Sequence, residues 1–274
     1  METSNSTVVP MPPPPNMRLG DPSTHDGVAM QGVSKRFGDM VVLDECDLLV
    51  NKGETLVIIG RSGEGKSVLL KNLVRLQEPD AGGIWVEGRE VTGMEPPDLR
   101  ELRKDFGFLF QGAALFDSMT ICENVGLMLK EHTDWDRERI RARACECLAL
   151  VGLDDADDKL PSELSGGMKK RAGLARAIVM QPQYILYDEP TTGLDPITGD
   201  AINDLILKLQ RELGVTSIVV THDMAGAFKI ANRIAMLNRG KIVFTGTVEE
   251  IQETSHPLVR QFIEGRADGP LGVF

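Results

Sequence analysis

Short, unbroken apolar runs punctuate this chain, and each ends in glycine or in a polar cluster. Thr55 to Ile59 runs into Gly60, and Phe106 to Phe110 into a glycine-containing loop. Tyr184 to Tyr187 runs into Asp188-Glu189, and Ser217 to Val220 into Thr221-His222-Asp223. Runs without alternation mark strands buried on both faces, the habit of parallel sheets. Met40 to Val50, bounded by Gly38 and Gly53, reads as a strand with Asp44, Glu45 and Asp47 on a more exposed side. A turn over 79–83 leads to short outer strands at Ile84 to Val86 and at Val91. Arg233 to Leu237 and Lys241 to Phe244 form a hairpin-like pair.

Helical patterning fills the intervals. It covers Ser67 to Leu76, about Gly166 to Met180 ahead of Pro182, and 199–212 ahead of Gly214. From Thr120 to residue 164 it dominates, and Asp134, with Arg137 and Glu138 behind it, is placed to cap a helix. One more helical stretch spans 248–264. Strands alternating with helices define an α/β fold. There is no internal repeat. Patterning begins near Val28. Residues 1–26, with Pro12 to Pro15 among polar residues, read as a flexible polar leader without the basic start or apolar stretch of a signal peptide.

At 274 residues the chain is long enough to bury a core without staples. A formal charge of −11 makes it a poor non-specific nucleic-acid binder, since phosphate backbones attract Lys and Arg. Four cysteines are too few for a disulfide scaffold, and the four histidines are scattered, which suggests no metal cluster.

Three polar endings carry chemistry. Gly60-Arg61-Ser62-Gly63-Glu64-Gly65-Lys66-Ser67 follows a buried strand and opens a helix, the context of a phosphate-binding loop. Backbone N–H groups there can wrap a β-phosphate, with the helix N-terminus adding its positive end. Lys66 is placed to reach the β- and γ-phosphates and Ser67 to put its hydroxyl on Mg²⁺. Glu64 is unusual inside such a loop, and its carboxylate is expected to point out to solvent. Asp188 and Glu189 suit a metal-holding carboxylate beside a base, although two acids at a strand end can also be mere caps. Lys66, Gln111, Asp188 and His222 all lie just past strand ends, the edge where open parallel sheets bind ligands.

With these residues in place, the sequence resembles the nucleotide-binding subunit of ATP-binding cassette (ABC) transporters. The resemblance covers about residues 27–247. Its most specific element is Leu164-Ser165-Gly166-Gly167-Met168-Lys169-Lys170-Arg171, which is similar to the family's signature loop. The resemblance implies a P-loop fold with a small antiparallel β subdomain and a helical subdomain over about 120–181. It implies ATP and Mg²⁺ as cofactors, with Phe37 stacking on adenine and residues 60–68, including Val68, around the nucleotide. Gln111 would be the glutamine loop that touches Mg²⁺ and the membrane partner. Glu189 would activate water, with Lys66, Gln111 and His222 as its catalytic company. Asp195 matches a loop that crosses the dimer contact. The family solution is a head-to-tail dimer, each ATP lying between Lys66 of one chain and Ser165, Gly166 and Gly167 of the other, on the cytoplasmic face of the inner membrane beneath two copies of a permease.

A narrower resemblance rests on Met168 after the two glycines, on Ser67-Val68-Leu69-Leu70-Lys71 and on the Asp268-Gly269-Pro270 ending. It points to the Mla type of ATPase, which energises glycerophospholipid trafficking with a periplasmic or membrane-anchored lipid-binding subunit. The alternative is the ATPase of an importer for a small polar solute such as an amino acid. Residues 112–130, with Met119, Met128 and Leu129, are expected to line the permease groove. The 248–274 tail, with Ile251, Leu258, Phe262, Leu271 and Phe274, is expected to clasp the partner chain.

Overall fold

A computed structural model describes residues 20–272. The backbone builds two sheets. Strands β1 (Val28–Phe37), β2 (Met40–Val50), β4 (Ala81–Val86) and β5 (Arg89–Glu90) make an antiparallel sheet in the order β2-β1-β4-β5. Strands β3 (Thr55–Ile59), β6 (Phe106–Leu109), β7 (Tyr184–Asp188), β8 (Thr216–Thr221), β9 (Arg233–Asn238) and β10 (Lys241–Thr247) make the other, in the order β10-β9-β3-β8-β7-β6. Every pairing in that sheet is parallel except the β9–β10 hairpin.

The unbroken apolar runs are explained by two cores, one on each face of this sheet. Val57, Ile59, Ile185, Tyr187, Val219, Ile234 and Met236 pack into one. Their strand neighbours Leu56, Ile58, Tyr184, Leu186, Ile218, Val220, Ala235 and Leu237 pack into the other, against the antiparallel sheet. Side chains alternate between faces with period two, so both faces being covered demands apolar residues throughout. The first core also takes in helices α3 (Ile121–His132), α4 (Arg137–Leu150), α5 (Gly166–Ile178) and α6 (Pro196–Leu213). The second takes in α1 (Lys66–Leu73) and α2 (Pro96–Lys104). Burial pushes the Cys46 thiol up to about 12 and those of Cys122 and Cys147 up to about 11, so these thiols act as packing groups.

Several expectations shift. β1 and α2 are elements that the hydrophobic pattern did not single out. β1 breaks its alternation at register shifts around Val33 and Lys35, and α2 is a polar helix opened by Pro96 and Pro97. The cap ahead of α4 is Asp136, not Asp134: its Oδ1 accepts from Arg139 N at 2.8 Å. The 248–264 stretch is two helices, α8 (Val248–Glu253) and α9 (Pro257–Ile263), because Pro257 restarts the chain. Of the expected leader, residues 1–19 lie outside the described residues. Residues 21–26 belong to the fold: Asp21 caps a 3₁₀ turn over Pro22–Thr24, and His25 Nε2 meets Val50 O at 2.7 Å. Leu129 is buried in the helical core and does not line a groove, whereas Phe116 is exposed.

The tail folds onto its own chain up to Leu271. Gln261, itself buried, accepts from Leu271 N at 2.7 Å and donates to Arg266 O and Ala267 O. Leu271 packs into the first core, which corrects the expectation that this side chain needs a partner chain for cover. Phe274 lies outside the described residues. No described helix is long and apolar enough to cross a membrane.

Candidate active site

Parallel strands bring their carboxyl ends to one edge, and the order β3-β8-β7-β6 sets the residues that follow them side by side. Lys66 follows β3, His222 follows β8, Glu189 follows β7 and Gln111 follows β6. All four border one cleft, together with Phe37, Ser62, Gly63, Gly65, Ser67 and Val68.

The loop after β3 needs its glycines. Gly63 and Gly65 sit at φ 84° and 99°. A Cβ on Gly65 would lie 2.8 Å from Val42 Cγ1 and 2.9 Å from Val42 O, so a side chain there would collide with β2. Lys66 is buried, and its Nζ donates to Gly60 O at 2.8 Å and Arg61 O at 3.1 Å. It stands 3.4 Å from Glu189 Oε1. Two expected loop contacts are corrected in their side chains. Arg61 turns away from the cleft and donates through Nη1 to Leu271 O and Gly272 O, both at 2.9 Å. Glu64 is half-buried, not solvent-directed, and accepts from Arg239 N, outside the phosphate cradle. The Glu64 backbone N–H donates to Arg61 O at 3.3 Å within the loop.

Glu189 is the most heavily contacted carboxylate of the cleft. Its Oε2 lies 2.8 Å from His222 Nδ1 and accepts from Thr192 Oγ1 at 3.1 Å, while Oε1 faces Lys66. Its backbone has φ 48°, a left-handed conformation that side chains rarely adopt. Asp188 accepts from Ser67 Oγ at 2.6 Å, although 121 residues separate them. A hydroxyl and a carboxylate at such a place would suit Mg²⁺, a hard cation that takes few protein ligands and shares phosphate oxygens. Their contact shows that the residues present fit such an ion.

The signature residues stand apart from this cleft. Ser165 caps α5, accepting from Met168 N at 3.3 Å, and Gly166 and Gly167 open the helix. A Cβ on Gly167 would come within 2.5 Å of Thr198 Cγ2, so the start of α5 is pressed against α6. Asp195 caps α6, its Oδ1 accepting from Ile197 N and Thr198 N. Phe37 lies at the cleft edge, with Lys35 Nζ 5.6 Å from its ring centre.

Sequence reasoning did not assign roles to Thr192, Lys170 or Arg176. Thr192 gives no pattern signal. Lys170 does: it falls on the α5 face otherwise occupied by Gly167, Leu174 and Ile178, where an ammonium is out of place. Its Nζ donates to Gln111 O at 2.6 Å and to Glu189 O at 2.9 Å.

A glycine loop between a parallel strand and a helix, a hydroxyl–carboxylate pair across it and a glutamate paired with histidine define a P-loop nucleotide hydrolase. The chain belongs to the ABC transporter family, whose profile matches residues 43–192. It is 41% identical over 246 residues to the probable ribonucleotide transport ATP-binding protein mkl of Mycobacterium tuberculosis, covering 90% of this chain and 68% of that one. It is 40% identical to the methionine import ATP-binding protein MetN of Symbiobacterium thermophilum, covering 82% of this chain and 68% of that one. It is also 40% identical to the intermembrane phospholipid transport system ATP-binding protein MlaF of Escherichia coli K12, covering 89% and 91%. Among solved structures it is similar to the ATP-binding cassette MJ0796 in a dimeric, post-hydrolysis state bound to ADP and Pi. That match has a TM-score of 0.74 and 34% identity, and covers 81% of this chain and 98% of that one. The chain is thus an ATP-hydrolysing ABC-transporter subunit that energises transport across a membrane.

Proposed function

We propose that this chain works as a head-to-tail pair on the cytoplasmic face of a membrane, beneath two copies of a permease, and hydrolyses ATP at the seam. The observation that carries this reading is the convergence of Lys66, His222, Glu189 and Gln111 on the cleft that Ser67 also borders, with Asp188 accepting from the Ser67 hydroxyl behind it. Lys66 neutralises charge on the β- and γ-phosphates. Glu189, held by His222 and Thr192, orients and polarises the attacking water. Mg²⁺, held by Ser67 and Asp188 with Gln111 nearby, supplies charge neutralisation at the phosphates when bound. Ser165, Gly166 and Gly167 offer free N–H groups outside the cleft, which suits them to the nucleotide of a second copy. Ile197, 85% exposed beside Asp195, supports a protein contact at that loop.

For cargo, the relatives' names favour a small polar solute: one is named for ribonucleotide transport and another for methionine import. They favour it over the glycerophospholipid reading drawn from Met168 and the Asp268-Gly269-Pro270 ending. A lipid cargo, with its periplasmic or membrane-anchored lipid-binding subunit, keeps one specific support. The relative named for intermembrane phospholipid transport is matched over 91% of its length, the other two over 68%.

The test is to isolate the full chain from native membranes with its bound proteins and to measure ATPase stimulation. A co-purifying permease, with stimulation by ribonucleotides or amino acids, is the expected result. Stimulation only by glycerophospholipid vesicles would overturn the cargo, and the absence of any membrane protein would overturn the permease pairing.

A further inference from the structure

Helix α5 sends two cations into the loops around the cleft. Lys170 is 5% exposed, and its contacts are the carbonyls of Gln111 and Glu189. Arg176, farther along the helix, donates to Ala113 O and Ala114 O, each at 2.6 Å. Ala113, Ala114 and Glu189 share left-handed backbone, with φ of 60°, 50° and 48°. Such conformations persist in residues other than glycine only where surroundings hold them. One helix therefore grips both the loop after β6 and the peptide that carries the candidate catalytic carboxylate.

An apolar packing face would be served more cheaply by leucine. A buried ammonium is costly unless it is hydrogen-bonded. Burial pulls the Lys170 pKa down, and the Asp188 and Glu189 carboxylates oppose that pull by favouring the charged form. The lysine adds what an apolar side chain cannot: a donor that joins the two carbonyls. Glu189 O also accepts from Thr192 N at 3.3 Å, the same residue whose hydroxyl reaches Glu189 Oε2. Fixing the Glu189 peptide thus fixes the Thr192 bond and the aim of the carboxylate.

We propose that Lys170 is a positioning residue that ties the Glu189 peptide to the Gln111 loop and so fixes the aim of the Glu189 carboxylate. This rests on the reading of Glu189 as the residue that polarises water. Lys170 does not border the cleft, so its loss is expected to slow turnover without weakening nucleotide binding.

The experiment compares Lys170→Met, Lys170→Gln, Glu189→Gln and the double variant Glu189→Gln/Lys170→Met in the full chain, with Mg-ATP. In Lys170→Met, kcat is expected to fall on the order of 10²-fold, the scale of a misplaced catalytic group, with KM nearly unchanged. Lys170→Gln keeps a donor and is expected to lose less. The double variant is expected to be no slower than Glu189→Gln, since both act through one carboxylate. Near-normal turnover in Glu189→Gln would instead remove the reading of Glu189 on which the proposal rests. A slow Glu189→Gln beside a normal Lys170→Met would overturn the role of Lys170. So would a KM that rises as much as kcat falls. If Lys170→Met does not fold, the kcat–KM split in Lys170→Gln decides on the same terms.

Discussion

Glu189 gathers His222, Thr192 and Lys66 around one carboxylate while its own backbone is held left-handed. Replacing it by Gln keeps the size but removes the charge that, in the proposed mechanism, polarises water. Glu189→Gln is expected to lower turnover by about 10²-fold or more while ATP still binds, which single-turnover assays with a binding titration would show. In the proposed reading Lys66 acts on the substrate side. Its ammonium rests on Gly60 O and Arg61 O inside the loop, so its removal is expected to take a phosphate contact and little of the fold. Lys66→Ala should cripple nucleotide affinity with the melting curve preserved; unchanged affinity by calorimetry with Mg²⁺ present would refute the assignment.

At the scale of elements, the loop between β6 and α3 is held from both ends. Helix α5 grips Gln111, Ala113 and Ala114 through Lys170 and Arg176. Asn124 of α3, fully buried, accepts from Phe116 N at 2.7 Å and donates to the carbonyls of Phe116, Met119 and Thr120. An asparagine in that place substitutes for the backbone partners the loop lacks. Asn124→Ala should destabilise the chain by about 1–3 kcal/mol, the cost of stranding a buried polar group. Hydrogen exchange should speed up at the Phe116 amide in particular. Unaltered exchange there would mean that the loop is held by other contacts.

For the whole molecule, two predictions separate what one chain does alone from what a pair does. Deleting residues 266–274 removes Leu271 from its own core and the contacts to Arg61. The isolated chain should lose about 2 kcal/mol of stability, the value of burying one leucine, by denaturant unfolding. Unchanged stability with weakened nucleotide-free dimerisation would restore the clasp across chains. Mixing a Lys66→Ala chain with a Ser165→Arg chain addresses the seam. A shared site would leave one intact nucleotide position in the mixed pair, so ATP-driven dimerisation should exceed that of either variant alone. No gain on mixing would mean that each chain completes its own site.

The sequence by itself determined the strand–loop–helix of the phosphate loop, the carboxylates at the end of β7, and Lys66, Gln111 and His222 past strand ends; Asp188, expected beside them, is the last residue of β7, and Glu189 takes its place at the cleft. Runs buried on both faces, glycines at the turns and charged endings are local signals, and local chemistry is what a sequence shows. It also determined the α/β class, since those runs alternate with helices. Only the tertiary structure decided that Ser67 meets Asp188 and that Glu64 and Arg61 turn out of the cradle. The same holds for Lys170 bridging Gln111 to Glu189 and for Leu271 packing on its own core. Their partners lie far along the chain or are backbone carbonyls, which carry no residue identity for a pattern to read. A lysine on an apolar helix face is recognisable as an anomaly, but what it satisfies is set by which loops the sheet order brings beneath it.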